Sequence, residues 1–262
     1  MSPKARRGVV PVFHPDATLR ATLRRGLRSS GSRLISCRTV SRVDRVLQEE
    51  LVNAVVVDVR QVPLDAVFEW IELYPRIPVF ALSAFQPQDG RLLAACAAGG
   101  LRGILVDGID DAVAGEIVAS RSAARERAAL LEDAPGRLRL TEPIQLQAWE
   151  EILSRAGSPT STSDIAGALG LGREHVSREF AAGGAPNLKR VIDLVRAACA
   201  AHLLSNPGYQ VAAVARILGF ASSSHLTSCA RRVAGVSAKG LAHMGSRGVL
   251  NGFLRSRTRS RL

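Results

Sequence analysis

The first part of the chain alternates short apolar runs with longer segments in which apolar positions follow a helical period. Five runs are predicted strands, at residues 9–13, 33–37, 54–58, 77–83 and 103–106. The predicted helices that follow them cover residues 16–29, 41–50, 64–73, 90–98 and 110–131. Within them, residues 55–57 and 79–82 are continuously apolar, as in strands buried on both faces. Five βα units in succession therefore predict an α/β domain with a five-stranded parallel sheet.

The rest of the chain has a different pattern. The periodicity lapses at residues 132–142, which contain Pro135 and Gly136 and which we interpret as a linker between a domain at 1–131 and a domain at 143–245. A helix is predicted over 143–156, and the pattern then stays helical, with Gly-containing breaks and no strand. Residues 246–262 form a basic Arg-rich tail without an acid, which we expect to be a mobile arm, at least beyond Phe253.

A weak repeat in the second half has the chemistry of a helix-turn-helix motif. Residues 165–170 (IAGALG) recur 49 residues later as 214–219 (VARILG). The small residue lets two helices approach, and the Gly accepts a left-handed turn. The next residue, Leu171 or Phe220, is expected to fill the angle between the helices. One such motif also fits a plain helical hairpin, but two motifs joined by a predicted helix over 188–204 favour an all-α domain that binds DNA.

The second helix of each motif is predicted to bury one face and to leave the other polar for the major groove. Val176 and Phe180 form the inner face in the first motif, and Leu226 and Val233 in the second. The outward positions that we expect to contact DNA are Arg173, Glu174, His175, Ser177 and Arg178 in the first and Ser222, Ser223, Ser224, His225, Thr227, Ser228, Arg231 and Arg232 in the second.

Side-chain chemistry assigns these positions different tasks. Arg173 and Arg178 are candidates for two-point contact with guanine, and His175 and His225 for base edges or phosphates. The positions expected to meet phosphates are Lys189, Arg231 and Arg232. For each of them a solvated surface side chain is the alternative.

The charge is concentrated in the same half of the chain. The net charge is +12, and residues 160–262 carry 14 basic and 4 acidic side chains, against 21 and 19 in residues 1–159. Such a basic domain is expected to bind a polyanion. The alternative is an Arg-rich protein with no nucleic-acid partner.

Other function classes have little support in the sequence. The four cysteines are far apart, no apolar run approaches the roughly 20 residues of a membrane helix, and no secretory signal is evident. We expect a cytoplasmic protein without membrane association, cofactor or metal site. Since no catalytic or nucleotide-binding motif is present, we also expect that it is not an enzyme.

With these motifs, residues 143–244 resemble the DNA-binding domain of the AraC/XylS family of transcription regulators. The resemblance rests on DIAGALGLGREHVSREF, NLKRVIDLVRAACAAHLL and VAAVARILGFASSSHLTSCARRVAGVSAKGL. It implies a bacterial regulator whose two recognition helices enter successive major grooves of double-stranded DNA, about 34 Å apart. RNA polymerase and a second copy of the chain are further candidate partners.

The second motif departs from the family pattern. Leu226 and Ala230 stand where aromatic residues are usual, and Ser228 stands where an Arg is common. The first motif keeps its apolar residue after the turn. We therefore expect the first motif to supply most of the base recognition, and the second mainly to hold the register on the DNA backbone.

The N-terminal pattern resembles a response-regulator receiver domain. Asp58 matches that family's phosphoacceptor and Ser83 its switch hydroxyl. The expected acidic pair is replaced by residues 12–15 (VFHP), and the expected Lys by Asp107, which would face Asp58 without a cation. Because phosphoryl transfer depends on a metal and a cation, we predict a pseudoreceiver for dimerisation or signal input. Asp58 is then a vestigial phosphoacceptor, or an acid that caps the following loop.

Three alternatives stay open. The N-terminal domain could be a generic flavodoxin-like sheet. A ligand- or nucleotide-binding enzyme could use the carboxyl edge of that sheet, near His14, Asp58, Ser83 and Asp107. The protein could also be a nonspecific nucleoid-associated protein whose Arg-rich tail binds phosphates without recognising sequence.

Overall fold

The computed structural model describes residues 8–28, 30–155 and 157–259. Residues 1–7, the predicted helix ends Ser29 and Ala156, and the last three residues of the tail lie outside the described residues. The described chain divides into two compact units. The sheet unit holds residues 8–126 and 206–209, and the helical unit holds residues 127–205 and 210–259.

Five parallel strands form the core of the sheet unit. They are β1 (Val9–Phe13), β2 (Arg33–Cys37), β3 (Val55–Val57), β4 (Val79–Ser83) and β5 (Gly103–Val106). Their order is β2-β1-β3-β4-β5, the order of flavodoxin-like doubly wound sheets. The α/β class predicted from the apolar runs is confirmed.

The helices of this unit lie between the strands and bury one face each. They are α1 (Ala17–Arg28), α2 (Val40–Glu49), α3 (Leu64–Leu73), α4 (Gly90–Ala98) and α5 (Asp111–Ser120). Helix α1 buries Leu19, Leu23 and Leu27, one residue per turn, in a cluster with the sheet. Gly26 allows close approach to α5, because a Cβ there would lie 2.8 Å from the Gly115 Cα.

The carboxyl ends of three strands bring polar side chains to one edge of the sheet. The Asp58 N–H donates to the Phe13 carbonyl at 2.8 Å, and the Asp107 N–H donates to the Ser83 carbonyl at 3.0 Å. His14, Asp58 and Asp107 follow β1, β3 and β5 directly, so they share the edge at which doubly wound sheets bind ligands.

The helical unit is built around one buried helix. The helices of the second part of the chain are α6 (Ala123–Ala129), α7 (Ala134–Leu138), α8 (Pro143–Ser154), α9 (Thr162–Ala168), α10 (Arg173–Phe180), α11 (Leu188–Leu204), α12 (Val211–Ile217), α13 (Ser223–Ala234) and α14 (Ala238–Arg259). Every residue of α11 from Val191 to Leu203 is buried, and α8, α12, α13 and α14 pack against it. Between residues 127 and 259, where described, no strand occurs, as predicted. None of the helices described in either unit is long and apolar enough to cross a membrane.

The helix predicted over 110–131 is broken in two, between α5 and α6. Ser122 lies at the break, where its hydroxyl donates to the Ala119 carbonyl at 2.8 Å and accepts the Arg125 N–H at 3.4 Å. Because a serine hydroxyl competes with the backbone in this way, it ends one helix and begins the next.

The segment interpreted as a linker is also helical. Helix α7 lies inside residues 132–142, and Ala134, Leu138 and Leu140 are buried. Pro135 occupies its first turn, where proline is tolerated because the N–H there has no partner within the helix. The lapse in periodicity therefore marks a short packed helix rather than an extended connection.

The tail up to Phe253 is packed rather than mobile, and the expectation of a mobile arm beyond Phe253 stays a prediction. Gly245, with φ +64° and ψ 171°, interrupts α14, which then continues to Arg259. Val249, Leu250 and Phe253 are fully buried. These three residues share one helix face, so the first half of the tail packs against the helical unit.

Candidate nucleic-acid interface

Both predicted turns have the same backbone geometry. Gly170 and Gly219 have φ values of +67° and +66°. The Leu171 N–H donates to the Ala166 carbonyl at 3.0 Å, and the Phe220 N–H donates to the Ala215 carbonyl at 2.8 Å. This is the Schellman ending of a helix, with glycine in the left-handed region. The sequence repeat is therefore also a structural repeat, and the predicted role of the two glycines is confirmed.

The inner faces of the two second helices are packed as predicted. Val176 and Phe180 of α10 are fully buried, and so are Leu226 and Val233 of α13. Helix α9 packs against α10, and α12 packs against α13. Each motif is thus a pair of packed helices whose second helix has one face free of this packing.

The residue after the turn behaves differently in the two motifs. Phe220 is 6% exposed and fills its angle, whereas Leu171 is 38% exposed. The prediction that Leu171 fills the angle of the first motif is therefore wrong. Helix α8 packs against both α9 and α10, and its buried Trp149 adds to this core, so the first motif is closed from another side.

Arg196 of α11 supports the second turn, a role that the sequence analysis missed. Its Nη2 donates to the Leu218 carbonyl at 3.1 Å and to the Gly219 carbonyl at 3.3 Å. Its guanidinium lies 4.0 Å from the centroid of the Phe220 ring, a favourable cation–π geometry. Burial lowers the pKa of Arg196. An arginine inside an otherwise apolar run was the available signal, since such a residue is seldom buried without partners.

Asp193 joins α11 to two of the predicted phosphate contacts. Its carboxylate accepts from Lys189 Nζ at 2.7 Å and from Arg232 Nη2 at 2.9 Å. The Asp193 side chain is 6% exposed, while those of Lys189 and Arg232 are 58% and 55% exposed. The acid is therefore buried beneath two cations, and the surface above it is positively charged.

The side chains predicted to contact DNA remain accessible within the helical unit. The exposed ones are Arg173, Glu174, His175, Arg178, Lys189, Ser222, Ser224, His225, Ser228, Arg231 and Arg232. Ser177, Ser223 and Thr227 are half-buried. The structure brings the first-motif positions together on α10 and the second-motif positions at the start and along the outer face of α13.

The two recognition helices begin in different ways. Ser222 caps α13, because its hydroxyl accepts the His225 N–H at 3.1 Å. The His225 ring packs edge-on against Phe220, with centroids 5.5 Å apart. Gly172 precedes α10 and has no side chain to cap it; a shallow concavity runs over Gly172, Arg173, Glu174, His175 and Ser177. Ser222 and His225 thus also have structural tasks, whereas the start of α10 is open.

Asp58, at the carboxyl edge of the sheet, is already hydrogen-bonded. Its Oδ1 accepts from the Ser83 hydroxyl at 2.7 Å and from the Arg60 N–H at 3.1 Å. Ser83 Oγ in turn accepts the Val59 N–H at 3.0 Å. Arg60 Nη1 donates to the Ala84 carbonyl at 2.7 Å. This is the geometry of an acid that caps the loop after its strand.

The residues that replace the receiver machinery lie close to each other without a hydrogen bond between them. His14 is buried, and its Nδ1 accepts the Asp16 N–H at 3.2 Å, so the ring proton belongs on Nε2. That Nε2 lies 3.5 Å from Asp107 Oδ2, which is longer than a hydrogen bond. Asp107 thus faces an imidazole rather than the ammonium of a lysine.

Backbone hydrogen bonds from Leu19 and Thr18 lower the pKa of Asp16. Over the described ranges, no group of three or more His, Cys, Asp or Glu side chains could hold a metal ion.

Comparison with known families identifies the helical segment. A family model described as a helix-turn-helix domain matches residues 165–243, from α9 into α14, including both turns. This segment is a helix-turn-helix domain of the AraC type. The protein is therefore a DNA-binding transcription regulator, as the resemblance implied. No curated protein matches the chain.

Several solved structures of response regulators are similar to the chain. One from Thermotoga maritima is 20% identical, covers 44% of this chain and 97% of its own, and has a TM-score of 0.39. Full-length FixJ from B. japonicum is 17% identical, covers 81% of this chain and 97% of its own, and has a TM-score of 0.38. A receiver domain protein from Clostridium thermocellum is 16% identical, covers 47% of this chain and 98% of its own, and has a TM-score of 0.37. At these TM-scores the likeness adds nothing to the strand order described above.

Proposed function

We propose that the protein is a sequence-specific regulator that recognises two adjacent major grooves of double-stranded DNA with its paired helix-turn-helix motifs. The observation that carries this proposal is the repeated turn, with equal φ at Gly170 and Gly219 and equivalent backbone hydrogen bonds. Both motifs are joined by the buried helix α11. A rigid connection suits two recognition helices that must enter grooves about 34 Å apart.

Most of the base recognition is assigned to the first motif. Arg173 and Arg178 are exposed on α10, and the Arg178 side chain is 76% exposed. Arg232 of α13 is held by Asp193, which favours a phosphate contact that fixes position rather than sequence. Because Leu171 is exposed, the apolar residue after the first turn no longer supports assigning most of the base recognition to the first motif. That assignment therefore depends on the arginines of the two motifs.

Selection of bound fragments from random duplex DNA by the full chain tests sequence recognition. We expect a motif of two parts, about 10 base pairs apart. Arg173→Ala and Arg178→Ala should relax the preference within one part, because a two-point guanine contact contributes about 1–3 kcal/mol of discrimination. Arg91→Ala, which removes an exposed arginine of α4, is the matched control and should leave the motif unchanged.

Two outcomes would refute sequence-specific recognition. One is a selection that enriches no motif. The other is an equal loss of affinity for every sequence in Arg173→Ala and Arg178→Ala, which would favour a nonspecific nucleoid-associated protein.

For the sheet unit we propose dimerisation or signal input without phosphorylation and without catalysis. The support is that the Asp58 carboxylate is hydrogen-bonded to Ser83 and to the Arg60 N–H. His14 and Asp107 also stand where the receiver family has its acidic pair and its lysine. Without these groups the charge of a transferring phosphoryl group is poorly neutralised.

Incubation of the full chain with a small phosphodonor and Mg²⁺ tests this part. We expect no stoichiometric labelling. Stoichiometric labelling that is lost in Asp58→Asn would contradict it.

A further inference from the structure

Helix α8 (Pro143–Ser154) precedes the matched helix-turn-helix segment, which begins at residue 165. It nevertheless packs against α9 and α10 of the first motif and against the buried helix α11. In the second motif, α12 and α13 both pack against α11 directly. Helix α8 is therefore an element through which the first motif is joined to the rest of the helical unit.

Gln145 makes hydrogen bonds from α8 to the end of the recognition helix α10. Its side chain is fully buried, and its Nε2 donates to the carbonyls of Glu179, Phe180 and Ala182 at 3.3, 3.0 and 3.2 Å. Since an amide nitrogen carries two hydrogens, one of them is shared between two of these carbonyls. The last carbonyls of a helix have no partner within it, so Gln145 supplies donors that α10 itself lacks.

The oxygen of the same amide is fixed by the start of α8. Gln145 Oε1 accepts the Thr141 N–H at 2.8 Å and the Glu142 N–H at 3.1 Å. Glu142 is the N-cap residue and Gln145 the third residue of the helix, which is the arrangement of a capping box. The amide therefore uses both its oxygen and its nitrogen, and it cannot rotate without losing contacts at both ends.

We infer that Gln145 is a positioning residue for DNA recognition, which holds α10 where its arginines reach the bases of one groove while α13 occupies the next. The inference rests on the proposed function, because only paired recognition requires a fixed separation of the two helices, about 34 Å. A displacement of α10 by one base-pair rise, about 3.4 Å, would break the hydrogen bonds from Gln145. Because the amide is buried, its polar atoms would then lack partners, which is costly.

Duplexes that differ in the spacing between the two parts of the selected motif test the inference with the full chain. One duplex has the selected spacing, and two others have one base pair more or one base pair fewer. One base pair displaces the second part by about 3.4 Å and turns it by about 35° around the duplex. The quantity measured is the ratio of the Kd for an altered spacing to the Kd for the selected spacing. A loss of stability changes the fraction of folded protein and hence all Kd values alike, so this ratio reports placement.

Two substitutions at Gln145 separate its two ends. In Gln145→Glu, the carboxylate retains oxygens for the N–H groups at the start of α8 but donates nothing to the carbonyls of α10. Gln145→Met has a side chain of similar size and loses both sets of hydrogen bonds. Ser246→Ala is the matched control, because it also removes a buried donor to a backbone carbonyl, at 2.9 Å from Ser246 Oγ to Ala198. That donor joins α14 to α11 rather than α8 to α10.

The wild-type chain should bind the altered spacings about 5- to 150-fold more weakly than the selected spacing, which is the effect of one mismatched base pair. In Gln145→Glu and Gln145→Met this ratio should fall severalfold, because a less constrained α10 can follow the displaced part of the site. Ser246→Ala should keep the wild-type ratio, whatever its effect on thermal unfolding.

Several outcomes would overturn the inference. A wild-type ratio in both Gln145 variants would show that α10 is placed without the amide. A ratio lowered in only one of two folded variants would assign the effect to the start of α8 or to the introduced charge; if one variant does not fold, the other decides. An equally lowered ratio in Ser246→Ala, or loss of cooperative unfolding in both Gln145 variants, would make Gln145 a support of the whole helical unit. If the wild-type chain has no spacing preference, paired recognition itself fails, and the proposed function with it.

Discussion

Gly170 and Gly219 occupy equivalent turns with different surroundings, so alanine at each position separates two contributions to stability. Both residues have φ near +67°, a region in which an L side chain is strained. A Cβ on Gly170 would meet nothing within 4 Å. A Cβ on Gly219 would lie 2.2 Å from Pro159 Cγ, with two further Pro159 atoms at 3.1 and 3.3 Å.

The expected losses of stability follow from the strain of the left-handed conformation and from the contact with Pro159. The left-handed conformation costs an alanine about 1–2 kcal/mol relative to glycine, which is the whole effect expected for Gly170→Ala. The methyl group also requires the Pro159 ring to move, and because Gly219 and Pro159 are both exposed, this adds only about 1 kcal/mol, the low end of the cost of overfilling a packed site. Gly219→Ala should therefore reduce the free energy of unfolding by about 2–3 kcal/mol.

Denaturant unfolding of the full chain, followed by tryptophan fluorescence, measures the difference. Of the two tryptophans, Trp149 lies in α8 of the helical unit and Trp70 in α3 of the sheet unit. In a Trp70→Phe background, the emission of Trp149 reports the helical unit alone. Equal shifts of the midpoint for Gly170→Ala and Gly219→Ala would refute the close approach of Pro159, and no shift in either would refute the left-handed turns.

Three further predictions concern other parts of the chain. Arg196→Met should lower the free energy of unfolding of the helical unit by about 1.5–3 kcal/mol, because the second turn loses a charged hydrogen-bond donor; an unchanged midpoint in the Trp149 assay would contradict this. Asp164 has a pKa below its ordinary value of 3.8 because of hydrogen bonds from Ser161. A carboxyl group whose pKa is lower in the folded than in the unfolded state stabilises the fold at pH values above its ordinary pKa. This stabilisation is lost as the pH falls through the pKa of the folded state. The stability difference between wild type and Asp164→Asn, measured by urea unfolding, should thus be constant near neutral pH and shrink below about 3.8; a pH-independent difference would count against the capping role. In the sheet unit, Gly26→Ala should destabilise by about 1–3 kcal/mol because its Cβ would lie 2.8 Å from the α5 backbone. Gly90→Ala should stabilise the sheet unit by about 0.4–1 kcal/mol, because a Cβ there would meet nothing within 4 Å. Unfolding followed by Trp70 fluorescence measures both changes, and midpoint shifts of the same sign for Gly26→Ala and Gly90→Ala would contradict the close packing of α1 against α5.

The fold could largely be predicted because continuous apolar runs and amphipathic helical segments are clearly distinct along the sequence. The continuous apolar runs at β3 and β4 predict strands buried on both faces, and the amphipathic segments between strands predict the covering helices. The helical break at Ser122 was missed, since a serine hydroxyl acts locally on the backbone and leaves the periodicity almost intact. The packed tail was missed because five arginines without an acid outweighed the one-face spacing of Val249, Leu250 and Phe253.

The interface was predictable in outline but not in its supports. A glycine after a repeated Leu predicts a left-handed turn, and both turns have it. Which apolar residue fills the angle depends on neighbouring helices, so Phe220 fits the pattern and Leu171 does not. Arg196 and Asp193 act through partners distant in sequence, and periodicity along one helix holds no information about such partners.

Methylation interference at guanine N7, on a DNA fragment bound by the full chain, tests most directly whether both motifs enter the major groove. N7 lies in that groove and is the atom that a recognition-helix arginine contacts. We predict two clusters of interfering guanines on one face of the duplex, about 10 base pairs apart, with the interference of one cluster lost in Arg173→Ala. A single cluster, or interference spread evenly along the fragment, would contradict paired recognition by the two helix-turn-helix motifs.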